Sequence, residues 1–326
     1  MNSKPVALIC GISGQDGAYL AQYLLGKGYK VFGSSRDAQM NPFSNLVKLG
    51  IREKIQTLSI ALTDFRSGLQ AMTQIQPDEI YNLAGQSSVG LSFEQPVEAM
   101  ESINIGTLNI LEAIRFYGRP IKFYNASSSE CFGDTNGAPA DENTPFRPRS
   151  PYAVAKASAH WLAANYREAY GIFACNGILF NHESPLRPER FVTRKIARAA
   201  CSIANGNKNK LSLGNIEIQR DWGWAPEYVE AMWGMMQKEH PDDFVIATGE
   251  TRKLVDFIET AFKLLDLDWQ DHVKIDSDFC RPSDITVGCG NPQKAKNILD
   301  WSAKHKMEDV VRMMVEAELS EKTLPC

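Results

Sequence analysis

Short apolar runs alternate with longer amphipathic stretches through the first half of the chain. The apolar runs cover residues 6–11, 30–35, 56–62, 79–85, 121–128 and 173–180, and the stretches with helical periodicity cover 15–27, 64–75, 97–117 and 151–170. Apolar runs without alternation are typical of strands that are covered on both faces. The order of strands and helices therefore predicts an α/β fold with a parallel, doubly wound sheet and right-handed crossovers.

After about residue 180 this regular alternation ends. The sequence there predicts helices over residues 192–205, 226–239, 254–265 and 307–319, with short strands between them. We therefore predict two domains: a doubly wound domain over residues 1–180 and a smaller C-terminal α/β domain over residues 181–326. Residues 215–240 are expected to pack back onto the first domain.

Composition excludes several classes of protein. The chain has 326 residues, 44% hydrophobic and 23% charged, and a formal net charge of -4. This gives no basic field for nucleic acid or an anionic membrane, and no apolar run is long enough to span a bilayer. The seven cysteines are scattered without a C-x-x-C pair. They favour free thiols in the cytoplasm over a disulfide framework or a metal site.

A glycine-rich turn connects the first predicted strand to the first predicted helix. Its sequence, Gly11-Ile12-Ser13-Gly14-Gln15-Asp16-Gly17, has a spacing that lets backbone N–H groups approach a pyrophosphate at a helix N-terminus. A purely structural turn is the alternative, but the flanking strand and helix favour a Rossmann-type dinucleotide site. At the end of the second strand, Arg36 favours the 2′-phosphate of NADP, while Asp37 leaves NAD open.

Candidate catalytic residues follow the fifth predicted strand. Tyr152 and Lys156 are four residues apart on a predicted helix and so share one face. An ammonium near the phenol is expected to lower the pKa of Tyr152, so that it can take a proton from a substrate alcohol. Ser128 could relay that proton. Glu130 could remove a proton α to a new ketone, which a simple dehydrogenase does not require, or it could be a structural cap.

Several longer sequence blocks resemble a known enzyme family. The blocks are "GISGQDG", "PRSPYAVAK", "LFNHESP", "FVTRKI" and "RDWGWAPEYVEAMW". By these blocks the chain resembles the extended short-chain dehydrogenase/reductases and, within them, the GDP-mannose 4,6-dehydratase family. The resemblance implies a homo-oligomer, either a dimer or a tetramer. It also implies tightly bound NADP that is regenerated in each turnover.

The resemblance further implies a reaction and a set of site residues. Tyr152, assisted by Ser128, would deprotonate the 4-hydroxyl of GDP-mannose while C4 gives its hydride to NADP. Glu130 would remove the C5 proton and help to expel the C6 hydroxyl as water, before the hydride returns to C6 and Glu130 reprotonates C5. The residues implied for the cofactor are Gly11, Ile12, Ser13, Gly14, Gln15, Asp16, Gly17, Arg36, Leu83, Ala84, Gly85, Gln86, Ser87, Tyr152, Lys156, His182 and Arg187. Those implied for the GDP-sugar, in the C-terminal domain for the most part, are Ser88, Asn181, Val192, Lys195, Arg220 and Arg281.

Some features leave alternatives open. Ser128 stands where the family usually has threonine, Ser88 stands where it has histidine, and similar sequences occur in reductases that act on 4-keto sugars. An NADP-dependent 4-keto-6-deoxy-sugar-nucleotide reductase or epimerase is therefore the alternative, and a non-catalytic NADP-sensing protein is a third. Trp222 and Trp224 could stack a guanine, although core packing is favoured. The long loop over residues 134–150 is expected to form a functional connection over the active site.

Overall fold

The computed structural model describes residues 4–279 and 281–322. The strands in these ranges are β1 Val6–Cys10, β2 Lys30–Ser35, β3 Gln56–Ser59, β4 Glu79–Asn82, β5 Lys122–Ser128, β6 Ala174–Leu179, β7 Asn181–Glu183, β8 Leu211–Leu213, β9 Gln219–Trp224, β10 Asp243–Ile246, β11 Thr251–Lys253 and β12 Val273–Ile275. The α-helices are α1 Gln15–Gly26, α2 Ser44–Lys48, α3 Phe65–Ile75, α4 Val89–Glu94, α5 Pro96–Ala99, α6 Gly106–Tyr117, α7 Pro151–Tyr170, α8 Val192–Ala204, α9 Ala225–Met236, α10 Leu254–Lys263, α11 Trp269–His272, α12 Gln293–Leu299 and α13 Met307–Lys322.

One parallel sheet forms the centre of the molecule. Within the described ranges it has seven strands in the order β10-β6-β5-β4-β1-β2-β3. The direction of winding reverses between β1 and β4, and in open α/β sheets the crevice at this point is where ligands bind. The predicted α/β class with a Rossmann-type sheet is confirmed.

Helices cover both faces of this sheet, which explains why its strands are apolar without alternation. In β1, Ala7 and Ile9 belong to a buried cluster that includes residues of α1 and α9. Leu8 and Cys10 belong to a second cluster that includes residues of α3 and α6. All four side chains are almost completely buried. Successive residues of the strand thus contribute to two separate cores, one on each face.

Two elements differ from the sequence-based prediction. The sheet contains β10, a seventh strand that the chain supplies late and that pairs with β6 at one edge. The predicted helix over residues 97–117 is divided into α5, a π-helical segment at Met100–Ile105, and α6. Ser102 of the π-helical segment accepts a hydrogen bond at 3.1 Å from the backbone N–H of Gln86, in the loop after β4. Hydrophobic periodicity does not distinguish such a segment from an α-helix because both bury one stripe.

The C-terminal half contributes a second core but also returns to the first. Apolar side chains from α8, α10 and α13 form a cluster with residues of β8 and β9. By contrast, Tyr228, Val229 and Met232 of α9 are buried in the cluster of the main sheet. β7, β9 and β11 form a small sheet, in which β7 and β9 are parallel. Since β7 directly follows β6, this small sheet begins at the carboxyl edge of the main sheet.

The described residues contain neither a candidate membrane span nor a candidate metal site. In residues 4–279 and 281–322, no helix combines the length and apolar character needed to cross a bilayer. In the same ranges, no group of three or more His, Cys, Asp or Glu side chains is arranged to hold a metal ion.

Candidate active site

The turn between β1 and α1 is built around glycines that tolerate no side chain. Gly11 has a φ of 85°, and a Cβ on it would lie 2.9 Å from the backbone of Ala84. A Cβ on Gly17 would lie 2.5 Å from the carbonyl oxygen of Gly11. α1 begins after Gly14, and no side chain caps its first N–H groups. This cradle fits a pyrophosphate, because uncapped N–H groups and the positive end of a helix dipole favour anions.

The residues after β2 place a cation near the end of that strand. The Arg36 side chain is 84% exposed, and its Nη1 lies 3.3 Å from Oε1 of Glu98. The carboxylate of Asp37 instead accepts hydrogen bonds, at 3.0 Å each, from the backbone N–H groups of Gln39 and Met40. Asp37 therefore organises a local turn, while the Arg36 guanidinium is accessible to solvent.

The loop after β4 faces the glycine turn. The Gln86 side chain closes this loop, since its Oε1 accepts from the N–H of Ser88 at 2.7 Å and its Nε2 donates to the Ser88 carbonyl at 3.0 Å. Ser88 then caps α4, where its Oγ accepts from the N–H of Leu91 at 3.3 Å. Its hydroxyl thus has a structural role at the helix start, although Ser88 also lines the cavity described below.

Tyr152 and Lys156 lie on the first turns of α7, which has Ser150 as its N-cap and Pro151 at its first position. Nζ of Lys156 donates to the carbonyl of Ala126 in β5 at 2.7 Å and lies 5.9 Å from the centre of the Tyr152 ring. Burial lowers the pKa of Lys156 to about 8. Burial also raises the pKa of Tyr152 well above its ordinary value, although a hydrogen bond with Ser128 opposes the rise.

The sequence-based expectation of a lowered Tyr152 pKa is therefore wrong for this structure. Its physical reason, the nearby ammonium, is present, but desolvation of the phenolate is the larger effect. A further positive charge next to the phenol would lower this pKa again and favour Tyr152 as a base.

Glu130 lies on a 3₁₀ turn, Ser129–Phe132, directly after β5. Its backbone N–H donates to Oγ of Ser128 at 3.3 Å, which fixes the turn to the end of the strand. Burial raises the pKa of the Glu130 carboxyl, while the charges of Arg220 and Arg281 oppose the rise. A carboxylate with a raised pKa is better suited to accept and return a proton than one on the surface.

Basic side chains line a second wall of the site. Arg220 of β9 is buried and donates to Oδ1 of Asp284 at 3.1 Å, and Arg281 lies 3.4 Å from the same oxygen. Nζ of Lys195 on α8 donates to the carbonyl of Ser212 at 2.7 Å and lies 4.3 Å from the ring centre of Phe279. Three cations on one wall suit a diphosphate.

His182 connects the two walls. Its Nε2 lies 2.9 Å from Oδ2 of Asp16 on α1, and its Nδ1 lies 2.7 Å from the carbonyl of Phe180. Burial acts to raise the pKa of Asp16, but the facing His182 and its hydrogen bond hold that pKa at about 2. Nearby, the Arg187 guanidinium stacks at 3.9 Å over the ring of Phe191.

These groups line one cavity of about 400 Å³ at the carboxyl edge of the main sheet. Of the residues predicted from the sequence, those that line it are Ser128, Glu130, Tyr152, Lys156, Asp16, Leu83, Ser87, His182, Arg187, Ser88, Asn181, Val192, Lys195, Arg220 and Arg281. Other predicted residues form the adjoining turn and strand ends without lining the cavity, namely Gly11, Ile12, Ser13, Gly14, Gln15, Gly17, Arg36, Ala84, Gly85 and Gln86. The structure thus brings the proposed acid/base residues and the cations to one place.

The aromatic residues of the site were only partly predicted. As the sequence favoured, Trp222 packs in the core: it is 2% exposed, and its ring centre lies 5.6 Å from that of Phe257. Trp222 still contributes to the cavity lining, together with the more exposed Phe279. The sequence analysis missed Phe279. The available signal was an aromatic residue in the polar segment after β12. None of the described residues 134–150 lines the cavity. This loop pairs with the segment near Val287 rather than covering the site.

Comparison with known proteins agrees with this geometry. The family model for GDP-mannose 4,6 dehydratase matches residues 8–314. The chain belongs to this family. It is 48% identical over 326 residues to GDP-mannose 4,6 dehydratase 2 of Arabidopsis thaliana, and the match covers 97% of this chain and 87% of the relative. It is 43% identical over 343 residues to the GDP-mannose 4,6 dehydratase of Dictyostelium discoideum, covering 97% and 96% of the two chains.

A solved structure supports the fold of this family member independently. The Thermus thermophilus UDP-glucose 4-epimerase, solved as a complex with NAD, superposes with a TM-score of 0.85. The superposition covers 96% of this chain and 99% of the epimerase, at 22% identity. At this identity the likeness concerns the fold, which the two proteins share over nearly their whole lengths.

Proposed function

We propose that the protein converts GDP-mannose to GDP-4-keto-6-deoxymannose and water. The observation that carries this proposal is the presence of Glu130 in the same cavity as Tyr152 and Lys156. Oxidation at C4 needs the tyrosine and the lysine only. Loss of the C6 hydroxyl needs a second group that can remove the C5 proton, and Glu130 supplies it.

The proposed cofactor is NADP. The uncapped start of α1 would hold the pyrophosphate, and Arg36 would bind the 2′-phosphate as a cation at the end of β2. When bound, the oxidised nicotinamide would accept the hydride from C4, would later supply the same hydride to C6, and would add a positive charge to the site. Because the reaction has no net redox change, the proposal includes a cofactor that stays bound between turnovers.

The side chains move protons in a balanced sequence. Tyr152, assisted by its hydrogen bond with Ser128, takes the proton of the 4-hydroxyl as C4 becomes a ketone. Glu130 then removes the acidified C5 proton and passes it to the C6 hydroxyl, which leaves as water. Glu130 then takes up a proton from solvent and delivers it to C5, while Tyr152 releases the proton of the 4-hydroxyl to solvent, so that proton uptake and release balance. Lys156 keeps an ammonium beside the phenol throughout.

The GDP-sugar is proposed to bind with its diphosphate against Lys195, Arg220 and Arg281. Phe279, 55% exposed beside Lys195, offers a flat surface for a base. In this proposal residues 1–180 bind the cofactor and residues 181–326 bind most of the sugar nucleotide, with residues 215–240 packed back onto the first domain.

We also propose that the protein is a cytoplasmic homo-oligomer. Val154 and Trp161 are 44% and 60% exposed, and their spacing of seven residues puts both on one face of α7. Such exposed apolar groups favour an interface between copies. Cys10, Cys131 and Cys175 are buried as free thiols, which suits a reducing compartment.

The test is to incubate the purified protein with GDP-mannose and no added cofactor and to follow the sugar nucleotide by mass spectrometry. We expect the mass loss of one water, and Glu130→Gln should reduce the rate about 100- to 10,000-fold. Oxidation of NADPH on a 4-keto sugar, without loss of water from GDP-mannose, would instead indicate the reductase. The Glu130→Gln protein should still release NADP when it is denatured, which shows that the variant has folded around its cofactor.

A further inference from the structure

Asp284 is a carboxylate beside two cations of the cavity wall, and the proposed reaction does not use it. Its Oδ1 accepts from Nη2 of Arg220 at 3.1 Å and from Nη1 of Arg281 at 3.4 Å. Both arginines are also attracted by Glu130. Yet the Glu130 carboxylate forms no ion pair with any residue in the described ranges, whereas Asp284 pairs with both cations.

Hydrogen bonds to backbone groups fix the Asp284 segment relative to the segments that carry Arg220 and Glu130. On one side, the N–H of Gln219 donates to the carbonyl of Thr286 at 2.8 Å, so the strand that carries Arg220 is tied to the Asp284 segment. On the other side, the N–H of Thr286 donates to Oδ2 of Asp134 at 2.8 Å, just beyond the turn of Glu130. Asp284, Arg220 and Glu130 therefore lie on three segments that are clamped together.

We propose that Asp284 is a positioning residue, which holds Arg220 and Arg281 away from Glu130 and so keeps the Glu130 carboxylate free to exchange a proton. This inference rests on the proposed dehydratase activity for its kinetic consequences, but not for its electrostatic ones. An arginine that paired directly with Glu130 would stabilise its charged form and make it a poorer base. Asp284 satisfies the two cations while leaving them available to a diphosphate.

The charged and titratable groups around Glu130 are consistent with this inference. Arg220 comes from β9, Arg281 and Asp284 from the segment after β12, and Tyr152 from α7, while Cys131 follows Glu130 in its own turn. The arginines lower the pKa of Glu130, and Asp284 raises it. Removing the charge of Asp284 should therefore lower the pKa of Glu130 both directly and by freeing Arg220.

The test is an NMR titration of the full-length protein labelled at the glutamate carboxyl carbons, in which the Glu130 signal is assigned by its loss in Glu130→Gln. Asp284→Asn keeps an acceptor for its own backbone contacts but loses the charge. It should lower the pKa of Glu130 by about one unit or more, whereas Asp284→Glu should leave it near the wild-type value. In Asp284→Asn with Arg220→Gln, the pKa should rise again because the cation is gone.

An unchanged or raised pKa in Asp284→Asn, or no recovery in the double variant, would overturn the proposal. Kinetics provide a second test. In Asp284→Asn, kcat on GDP-mannose should fall roughly tenfold with a smaller change in KM, and the acid limb of the pH–rate profile should move to lower pH. If wild-type protein has no dehydratase activity, the proposed function fails, while the NMR titration still decides the role of Asp284.

Discussion

The two sides of the candidate site differ in chemistry: one presents backbone groups and the other presents side chains. On the proposed cofactor side, the turn from Gly11 to Gly17, which adjoins the cavity, presents backbone N–H groups, and its shape depends on the absence of a side chain at its glycines. On the opposite wall, Lys195, Arg220 and Arg281 present long cationic side chains, and two of these already share Asp284. The backbone wall fixes the position of a bound group through its shape. The side-chain wall can adapt to a bound group because its cations can change ion partners. We therefore expect substitutions to be poorly tolerated at the backbone wall and to have smaller, graded effects at the side-chain wall.

The largest expected effect is at the backbone wall. Gly17→Ala would place a Cβ 2.5 Å from the carbonyl oxygen of Gly11 and 2.6 Å from Cα of Ile12, so the turn must move. We expect NADP affinity to fall about 100-fold and the free energy of unfolding to fall by about 1–3 kcal/mol. Fluorescence titration and chemical denaturation measure the two.

Gly26→Ala is the matched control in the same helix. Gly26 is exposed, and a Cβ on it would meet nothing within 4 Å. Its stability should rise slightly, by about 0.5–1 kcal/mol, with unchanged NADP binding. Equal behaviour of the two alanine variants would remove the steric contrast between the walls.

A smaller effect is expected at the side-chain wall. Arg220→Met keeps the length of a buried side chain but loses its hydrogen-bonding charge. KM for GDP-mannose should rise roughly 10- to 100-fold with a smaller change in kcat, because a charged hydrogen bond contributes about 1.5–3 kcal/mol. Arg66→Met, at a side chain that is 89% exposed on α3, is the control and should leave KM unchanged. A lost kcat with unchanged KM would contradict a diphosphate role for Arg220.

The same contrast explains what the sequence could predict. The glycine turn is a local feature, as its spacing between a strand and a helix is visible in a short stretch. Tyr152 and Lys156 are equally local, because four residues on a helix define one face. The main sheet follows from apolar runs that repeat along the chain. These parts of the fold and of the candidate site were predictable because each depends on neighbours in sequence.

Other features depend on contacts between distant segments. Asp284 acquires its position only because β9 and the loop after Glu130 both pair with its segment. The pKa of Tyr152 is raised by burial, which spacing along a helix does not encode. β10 pairs with β6 although β7, α8, β8, β9 and α9 lie between them in the chain, so this pairing is not visible in the local alternation of the sequence.

Cofactor choice gives a more modest test at the edge of the backbone wall. Arg36→Ala removes an exposed cation whose pairing with Glu98 adds little to stability. NADP affinity should fall about 10-fold or more while NAD affinity is unchanged, as measured by calorimetry. Arg119→Ala, at an exposed arginine that precedes β5, should change neither. A similar loss for NAD would show that Arg36 does not read the 2′-phosphate.

The smallest expected effect is at the junction of the walls, where Asp16 meets His182. Asp16 titrates at about 2 when folded and at 3.8 ordinarily, so its stabilisation is lost as pH falls through that window. Burial acts to lower the pKa of His182, but Asp16 raises it above 6.5, so this stabilisation is lost as pH rises through the raised value. Relative to Asp16→Asn, the wild-type free energy of unfolding should therefore exceed the variant's by on the order of 1–2 kcal/mol between about pH 4 and 6, and less on either side. Denaturant titrations across this range measure it. Asp64→Asn, which keeps a helix cap, should show no such maximum, and a flat Asp16→Asn difference would mean that the pair does not couple the two walls.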